Sequence, residues 1–504
     1  MSHCPILLTT LNARYMHTAF GLRYLLANMA ELREHTQLIE FTIQESPINI
    51  AEKLLSHAPK IIGFSVYIWN VAEITKTVAM LKQIAPEVSI ILGGPEVSHQ
   101  PDVPTVCELA DYVISGPGEQ SFPALCQQLL TDARPDEKFI ESKTLPLDEL
   151  SLPYRYYTEE DIRNRLIYVE ASRGCPFKCE FCLSALDKTA KPFALDAFLA
   201  EMDVLLDRGV RNFKFIDRTF NLKIATSIQI LEFFLARMTD DLYLHFEVVP
   251  DHLPDKLKEM LKRFPANSLQ FEIGVQTFDP VIQNRISRKQ NNDKTKENLT
   301  WLRNNTGAHL HTDLIFGLPG DTLDNFADSF NQLIDLKPHE IQLGILKRLR
   351  GAPLNRHTEP YQLRYNPEAP YNILSTSNIS FPEMQVVNRF ARFWDMIGNS
   401  GRFANTLPVI LGDQPFQRFL QLSEQLYQLA GSSWKISLKR QFELIYIVLT
   451  RHFKQDSDTV KNLLAEDYQR NKIKGKPNYE QLSNKAKEHR IGIANKRQQL
   501  HQSQ

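Results

Sequence analysis

The chain has 504 residues, 43% hydrophobic and 23% charged, with a formal net charge of -1. Such a length supports two to four globular domains, and the near-neutral balance argues against wrapping a nucleic-acid backbone. No apolar run reaches membrane-spanning length, Met1–Thr10 lacks the basic start and apolar stretch of a secretion signal, and six cysteines are too few for a disulfide framework. A cytoplasmic protein is expected.

From Pro5 to about Leu130, short apolar runs alternate with amphipathic stretches. "PILLTTL", "LIEFTI", "KIIGFSVYIW", "VSIILGG" and "LADYVISG" read as strands, and segments such as "AFGLRYLLANMAEL" and "VAEITKTVAMLKQIA" carry helical spacing. Apolar strands separated by helices predict a parallel sheet covered on both faces, a doubly wound, Rossmann-like domain over 1–135. Ligands of such sheets sit beyond the carboxyl ends of the strands. Gly93, Gly94, Gly116 and Gly118 fall at those ends, where each reads either as a tight turn or as room for a bulky ligand.

Residues 136–165 are polar, contain Pro146 and Pro153, and read as a linker. A second alternation fills 166–352. Its strand candidates are "LIYVEAS", "NFKFID", "YLHFEVV", "LQFEIGVQ", "HLHTDLIFG" and "EIQLGIL", with helical patterns between them. Six β/α units in about 180 residues predict a partial (β/α)6 barrel of TIM type, with its active site at the carboxyl ends of the strands. Glu170, Asp217, Glu247, Glu272, Gln276 and Asp313 gather there. Beyond this the strand signal weakens: 353–460 reads as a mainly helical domain and 461–504 as a polar tail.

The stretch "ASRGCPFKCEFCLSALD" (171–187) places Cys175, Cys179 and Cys182 within eight residues, directly after the first barrel strand. Three neighbouring thiolates repel unless a metal shares their charge. Structural zinc prefers four closed ligands, so it would need a distant fourth donor. A 4Fe-4S cluster tolerates a non-cysteine fourth position, which leaves one iron open. The spacing alone leaves both metals standing.

With Phe181 as the aromatic before the last thiol, C-x-x-x-C-x-φ-C resembles the signature of the radical S-adenosylmethionine (SAM) superfamily over about 165–350. The resemblance implies that the open iron chelates SAM and that the reduced cluster cleaves it to methionine and a 5′-deoxyadenosyl radical. It also implies SAM-binding positions at Phe181, Asp217 in "FIDRTFN", Glu247 in "FEVVPD", and Glu272 and Gln276 in "FEIGVQTFD". Arg288 in "ISRKQ" would meet the methionine carboxylate, and Gly317 and Gly320 in "DLIFGLPGDT" would pack on adenine. A Gly-Gly-Glu stretch common in the superfamily is replaced by "FIDRTF", so the contact to the SAM amino group is not assigned.

The first domain similarly resembles the cobalamin-binding domain that precedes some of these enzymes, through "GFSVYIWN", "ILGGPEVS" and "DYVISGPGEQSF". That implies corrin contacts from Ser65, Gly93, Gly94, Gly116, Gly118 and Glu119. The D-x-H-x-x-G motif is not intact. In "LNARYMHTAFG", His17 stands in its region, Tyr15 replaces the aspartate and Gly21 comes one residue late. Cobalt ligation by His17 and a cobalamin without a protein histidine both remain open.

Together the resemblances imply an iron–sulfur enzyme that uses SAM and cobalamin to methylate an unactivated position of a small molecule. Its electron would come from a donor such as flavodoxin or ferredoxin. The alternatives are a cobalamin-dependent radical cyclase or rearrangement enzyme without methyl transfer, and a non-catalytic cobalamin or redox sensor. A tRNA methylthiotransferase would carry a second cysteine triad upstream, whereas Cys4, Cys107 and Cys126 are scattered. No side chain stands out as a general acid or base, and nothing names the substrate.

Overall fold

In the computed structural model, which describes residues 4–473, those residues fall into two compact units divided between Asn388 and Arg389. The first unit holds two parallel sheets. In the first sheet, β1 (Ile6–Asn12), β2 (Thr36–Thr42), β3 (Ile61–Ser65), β4 (Ser89–Gly93), β5 (Tyr112–Ser115) and β6 (Phe139–Glu141) run in the order β2-β1-β3-β4-β5-β6. The order reverses between β1 and β3, which opens a crevice at their carboxyl ends.

Alternate residues of the same strands feed two separate cores, one on each face. Leu7, Ile62, Ile90 and Val113 enter one; Ile6, Leu8, Ile61, Ile91 and Ile114 enter the other. This two-sided burial is why the strands read as continuous apolar runs rather than as alternating ones.

The segment 136–165 does more than span. It supplies the sixth strand of the first sheet, and Tyr157 donates to the Tyr168 carbonyl at 2.7 Å. The fully buried Arg23 reaches Asp161 at 2.7 Å and Glu40 at 3.1 Å, so this segment is fastened to the first domain by charges on both sides.

The second sheet contains β7 (Ile167–Val169), β10 (Asn212–Phe215), β11 (Tyr243–Val248), β12 (Leu269–Gln276), β13 (His309–Phe316) and β14 (Glu340–Ile345), in the order β14-β13-β12-β11-β10-β7. A small antiparallel pair, β8 (Ser172–Arg173) with β9 (Lys191–Pro192), brackets the cysteine loop. In β12 and β13 every second residue is buried. The buried set is almost wholly apolar (Leu269, Phe271, Ile273, Val275; Leu310, Leu314, Phe316), and the other set is mostly polar (Gln270, Glu272, Gln276; His309, His311, Asp313). Period-two alternation thus gives the barrel an apolar back and a polar concave face.

Past β14, Arg350 pairs with Glu96 at 2.8 Å and Arg348 with Asp102 at 2.5 Å, tying this end of the barrel to the loop after β4. A short pair, β15 (Arg364–Tyr365) with β16 (Ile373–Ser375), follows, so the helical region begins at the Phe381–Ile397 helix. The second unit is helical; in its core Phe390 stacks on Trp394 and Phe416, and Phe419 meets Trp394 edge-on. Its buried Asp467 accepts from the backbone N–H groups of Asn405 and Thr406 and from the Thr406 hydroxyl. The Ser457–Arg470 helix covers the start of the expected polar tail, and 474–504 lie outside the described residues.

Candidate active site

The cysteine loop leaves β7 at the carboxyl edge of the barrel. Gly174 makes the turn with φ +94, and a side chain there would run into the Thr189 carbonyl. Only glycine meets both demands. The Cys175 N–H donates to the Asp187 carbonyl at 3.0 Å and the Cys182 N–H to the Cys179 carbonyl at 3.1 Å, which folds the three thiols onto one cavity of about 250 Å³.

Phe181, Glu247, Glu272, Gln276 and Arg288 line the same cavity. Three other expected SAM positions do not. Asp217 turns back beneath the loop, accepting from the Ala171 N–H at 2.9 Å and the Ser172 hydroxyl at 2.5 Å. Gly317 packs on Ile373 and Met384, and Gly320 on Arg285.

Charge is sharply partitioned in this cavity. Burial alone would raise the Glu272 carboxyl, but hydrogen bonds from His245 at 2.9 Å and Lys214 at 3.1 Å bring it down to about 2. On the neighbouring strand, burial and then the charges of Glu272 and Glu247 push Asp313 up to about 8. Arg218 bonds both oxygens of Glu247 at 2.8 and 2.9 Å. Gln276 adopts φ +68, and its buried Oε1 has no hydrogen-bond partner; Asp313 Oδ1 accepts no hydrogen bond either, though His311 Nε2 stands 3.5 Å away. Orphaned acceptors beside three thiols suit a ligand rich in hydrogen-bond donors.

Among the described residues, no group of three or more His, Cys, Asp or Glu side chains is placed to hold a metal ion. A cubane makes a different demand, because each thiolate binds its own iron and the sulfurs stand apart around a shared space. Burial raises the Cys175 and Cys179 thiols, a cost that iron ligation would remove. Arg288 Nη1 lies 3.6 Å from Cys179 Sγ, and the same guanidinium donates to the Gly274 carbonyl. The donor set therefore fits a three-cysteine cluster.

Two further cavities open at the carboxyl edge of the first sheet. One, of about 180 Å³, is lined by Ser65, Gly93, Gly94, Gly116, Gly118 and Glu119. The other, of about 590 Å³, is walled by His17, Tyr67, Trp69 and Glu119 from the first domain and by Tyr168, Glu170 and Arg173 from the barrel. They share Gly21, Tyr67 and Glu119. His17 Nδ1 lies 2.7 Å from the Tyr168 hydroxyl, and burial, with the charges of Lys214 and Arg14, lowers its pKa. Tyr15 lines neither cavity; its hydroxyl bonds Glu160 at 2.5 Å and Arg165 lies over its ring.

The profile of the Radical SAM superfamily matches residues 169–333, and that of the B12 binding domain matches 6–126. The chain carries a radical SAM domain behind a B12-binding domain. Residues 359–503 match a third profile, Protein of unknown function (DUF4080).

Among curated relatives, the cobalamin-dependent radical SAM methyltransferase TokK of Streptomyces tokunonensis is 26% identical over 355 residues, 62% of this chain and 51% of that protein. The 2-(S-pantetheinyl)-carbapenam-3-carboxylate methyltransferase of Streptantibioticus cattleyicolor is 23% identical, over 59% of this chain and 48% of its own. This chain thus spans about half the length of both. Among solved structures, the cobalamin-dependent SAM radical enzyme OxsB with aqua-cobalamin bound superposes with a TM-score of 0.62 at 16% identity, over 93% of this chain and 80% of that one. The radical SAM methyltransferase TsrM from Kitasatospora setae, with cobalamin and a 4Fe-4S cluster bound, gives 0.56 at 15% identity, over 70% and 74%. These likenesses establish the fold.

The radical SAM domain also contains residues in or behind the cavities that the motifs do not mark. Arg218 follows Asp217 in sequence but points into the thiol cavity, where Asp217 does not. Lys214 and His245 lie on the polar phase of β10 and β11, and that phase was the available signal for both. Arg173, two residues before Cys175, reaches back to the B12-binding domain. Glu180, inside the cysteine loop, is buried rather than solvated.

Proposed function

We propose that this protein is a cobalamin-dependent radical SAM methyltransferase acting on an unactivated position of a small molecule. Cys175, Cys179 and Cys182 would hold a 4Fe-4S cluster, with Arg288, Glu272, Glu247 and Gln276 around SAM. Cobalamin would lie in the joined cavities of the first domain. The bound cofactors supply one-electron cleavage of SAM and a transferable methyl group, while the protein sets distance, dryness and orientation.

One observation carries the reading: the segment Glu170–Arg173 both walls the larger first-domain cavity and leads directly into Cys175. Chemistry begun at the thiols and a methyl donor held in that cavity would share one chamber wall. Within this division of labour, 1–135 serves cobalamin, 166–352 serves the cluster and SAM, and the helices from Phe381 onward form a helical module. Among the described residues no helix is long and apolar enough to cross a membrane. A cytoplasmic location suits free thiols and a small low-potential donor such as flavodoxin or ferredoxin.

Anaerobic purification with iron, sulfide and cobalamin quantified, followed by incubation with methyl-labelled SAM, tests the proposal. Label on a cellular small molecule, with 5′-deoxyadenosine formed, supports it. Deoxyadenosine and methionine without methyl transfer favour a cyclase or rearrangement enzyme. Cobalamin retention without any deoxyadenosine favours a sensor.

A further inference from the structure

Between its second and third thiols the cysteine loop carries Glu180, which is only 4% exposed. Burying a carboxylate beside future thiolates is costly unless other groups neutralise it. Here three groups do so. Oε1 accepts from the Ser287 hydroxyl at 2.5 Å and from Arg356 Nη2 at 2.6 Å; Oε2 accepts from Arg356 Nε at 2.9 Å and lies 2.9 Å from His357 Nε2. The fork of Arg356 matches the carboxylate edge-on, the strongest geometry for such a pair.

The backbone repeats the arrangement. The Glu180 N–H donates to the Ile286 carbonyl at 3.0 Å, and the Glu180 carbonyl accepts from Leu354 N–H at 2.9 Å. Glu180 is therefore gripped from two directions, by the turn that ends in Arg288 and by the Pro353–His357 turn beyond the barrel. Ser287 sits at φ +54, a conformation that its bond to Glu180 helps to hold. The next residue, Arg288, approaches Cys179, the immediate neighbour of Glu180. One carboxylate thus links the two residues that form this wall of the thiol cavity.

We infer that Glu180 is a positioning residue for the cluster: clasped by Arg356, His357 and Ser287, it holds Cys179 and Arg288 together and balances the charge beside them. The inference rests on the proposed cluster. Removing the carboxylate leaves Arg356 uncompensated near Cys179, which favours the more negative, reduced cluster. Removing Arg356 leaves the carboxylate uncompensated and favours the oxidised one.

The test is the cluster's midpoint potential at one pH, measured on the anaerobically reconstituted full chain and on the Glu180→Gln and Arg356→Gln variants. The expected result is a higher potential in Glu180→Gln and a lower one in Arg356→Gln. A clasp that only shields the cluster from water would shift both the same way, so shifts of one sign, or none, overturn the inference. Arg356 has a side chain 63% exposed, so its variant folds without a cavity. If Glu180→Gln takes up no cluster, Arg356→Gln decides: a lower potential supports the clasp and any other result overturns it. Wild-type protein that holds no cluster would instead remove the proposed function beneath it.

Discussion

Arg173, on the strand that runs into the cysteine loop, donates to Glu119 of the first domain at 2.8 Å and to Glu170 of its own segment at 2.7 Å. Its guanidinium lies over the Tyr24 ring, 4.7 Å from the centroid. One cation thereby joins the wall of the larger cavity to the segment that presents the thiols.

Replacing Arg173 by Met leaves Glu119 and Glu170 facing each other across that wall. A charge-assisted hydrogen bond is worth about 2 kcal/mol, so cobalamin affinity is expected to fall roughly tenfold or more. Spectrophotometric titration of the apoprotein with hydroxocobalamin checks this. Unchanged affinity would mean that the pair does not shape the cavity.

The thiol cavity shares no lining residue with the two first-domain cavities, and the cluster and cobalamin sites are expected to fail separately. Cys179→Ala should lose the brown absorbance of the reconstituted cluster while retaining cobalamin. Loss of both ligands would show that the two sites are not independent.

Two neighbouring carboxylates are expected to give stability opposite dependences on pH. Glu272 is held at about 2 against an ordinary 4.5, so its contribution is present above about 4.5 and is lost as pH falls towards 2. Asp313 is held at about 8 against 3.8, so between those values the folded state keeps a proton that the unfolded chain has released, and stability falls as pH rises. Asp313→Asn should flatten the decline between pH 4 and 8, whereas Glu272→Gln should weaken the metal-free protein most at neutral pH. Urea unfolding midpoints across that range distinguish the two.

Gly94 takes φ +104 with its Cα facing the Val66 carbonyl; a Cβ there would stand 2.6 Å from that oxygen. Gly94→Ala should cost about 1–3 kcal/mol, read as a lower Tm, because both the backbone angle and the contact oppose it. It should also lower cobalamin retention, since the residue lines the smaller cavity. A variant that melts with the wild type would show that this turn relaxes freely.

Eleven of the twelve strands in the two large sheets were legible because each carries an apolar run or a clean alternation. The exception, β6, has only "FIE" to announce it: a three-residue strand at the sheet edge with none of its residues buried. Cys175, Cys179 and Cys182 were legible from spacing, and Glu247, Glu272 and Gln276 from their place at strand ends. Asp217 occupies an equally suggestive place, yet its carboxylate turns towards free backbone N–H groups of the loop; sequence records position but not side-chain direction. Tyr15 and His17 illustrate the same limit, since one faces Glu160 and the other a cavity only two residues away. Glu180 was hidden for a different reason: its partners Arg356 and His357 lie more than 170 residues away, so in sequence it reads as one more solvated charge.

β7 and β14 are the two margins of the second sheet, so its strands form an arc rather than a ring. A complete eight-stranded cylinder admits guests only along its axis, and its bore is filled by its own side chains. An arc can be entered from the flank, which releases the polar trough from any fixed limit on a visitor's girth. Under the proposed function, the choice of substrate would then fall to whatever lies along that flank, not to the strands themselves.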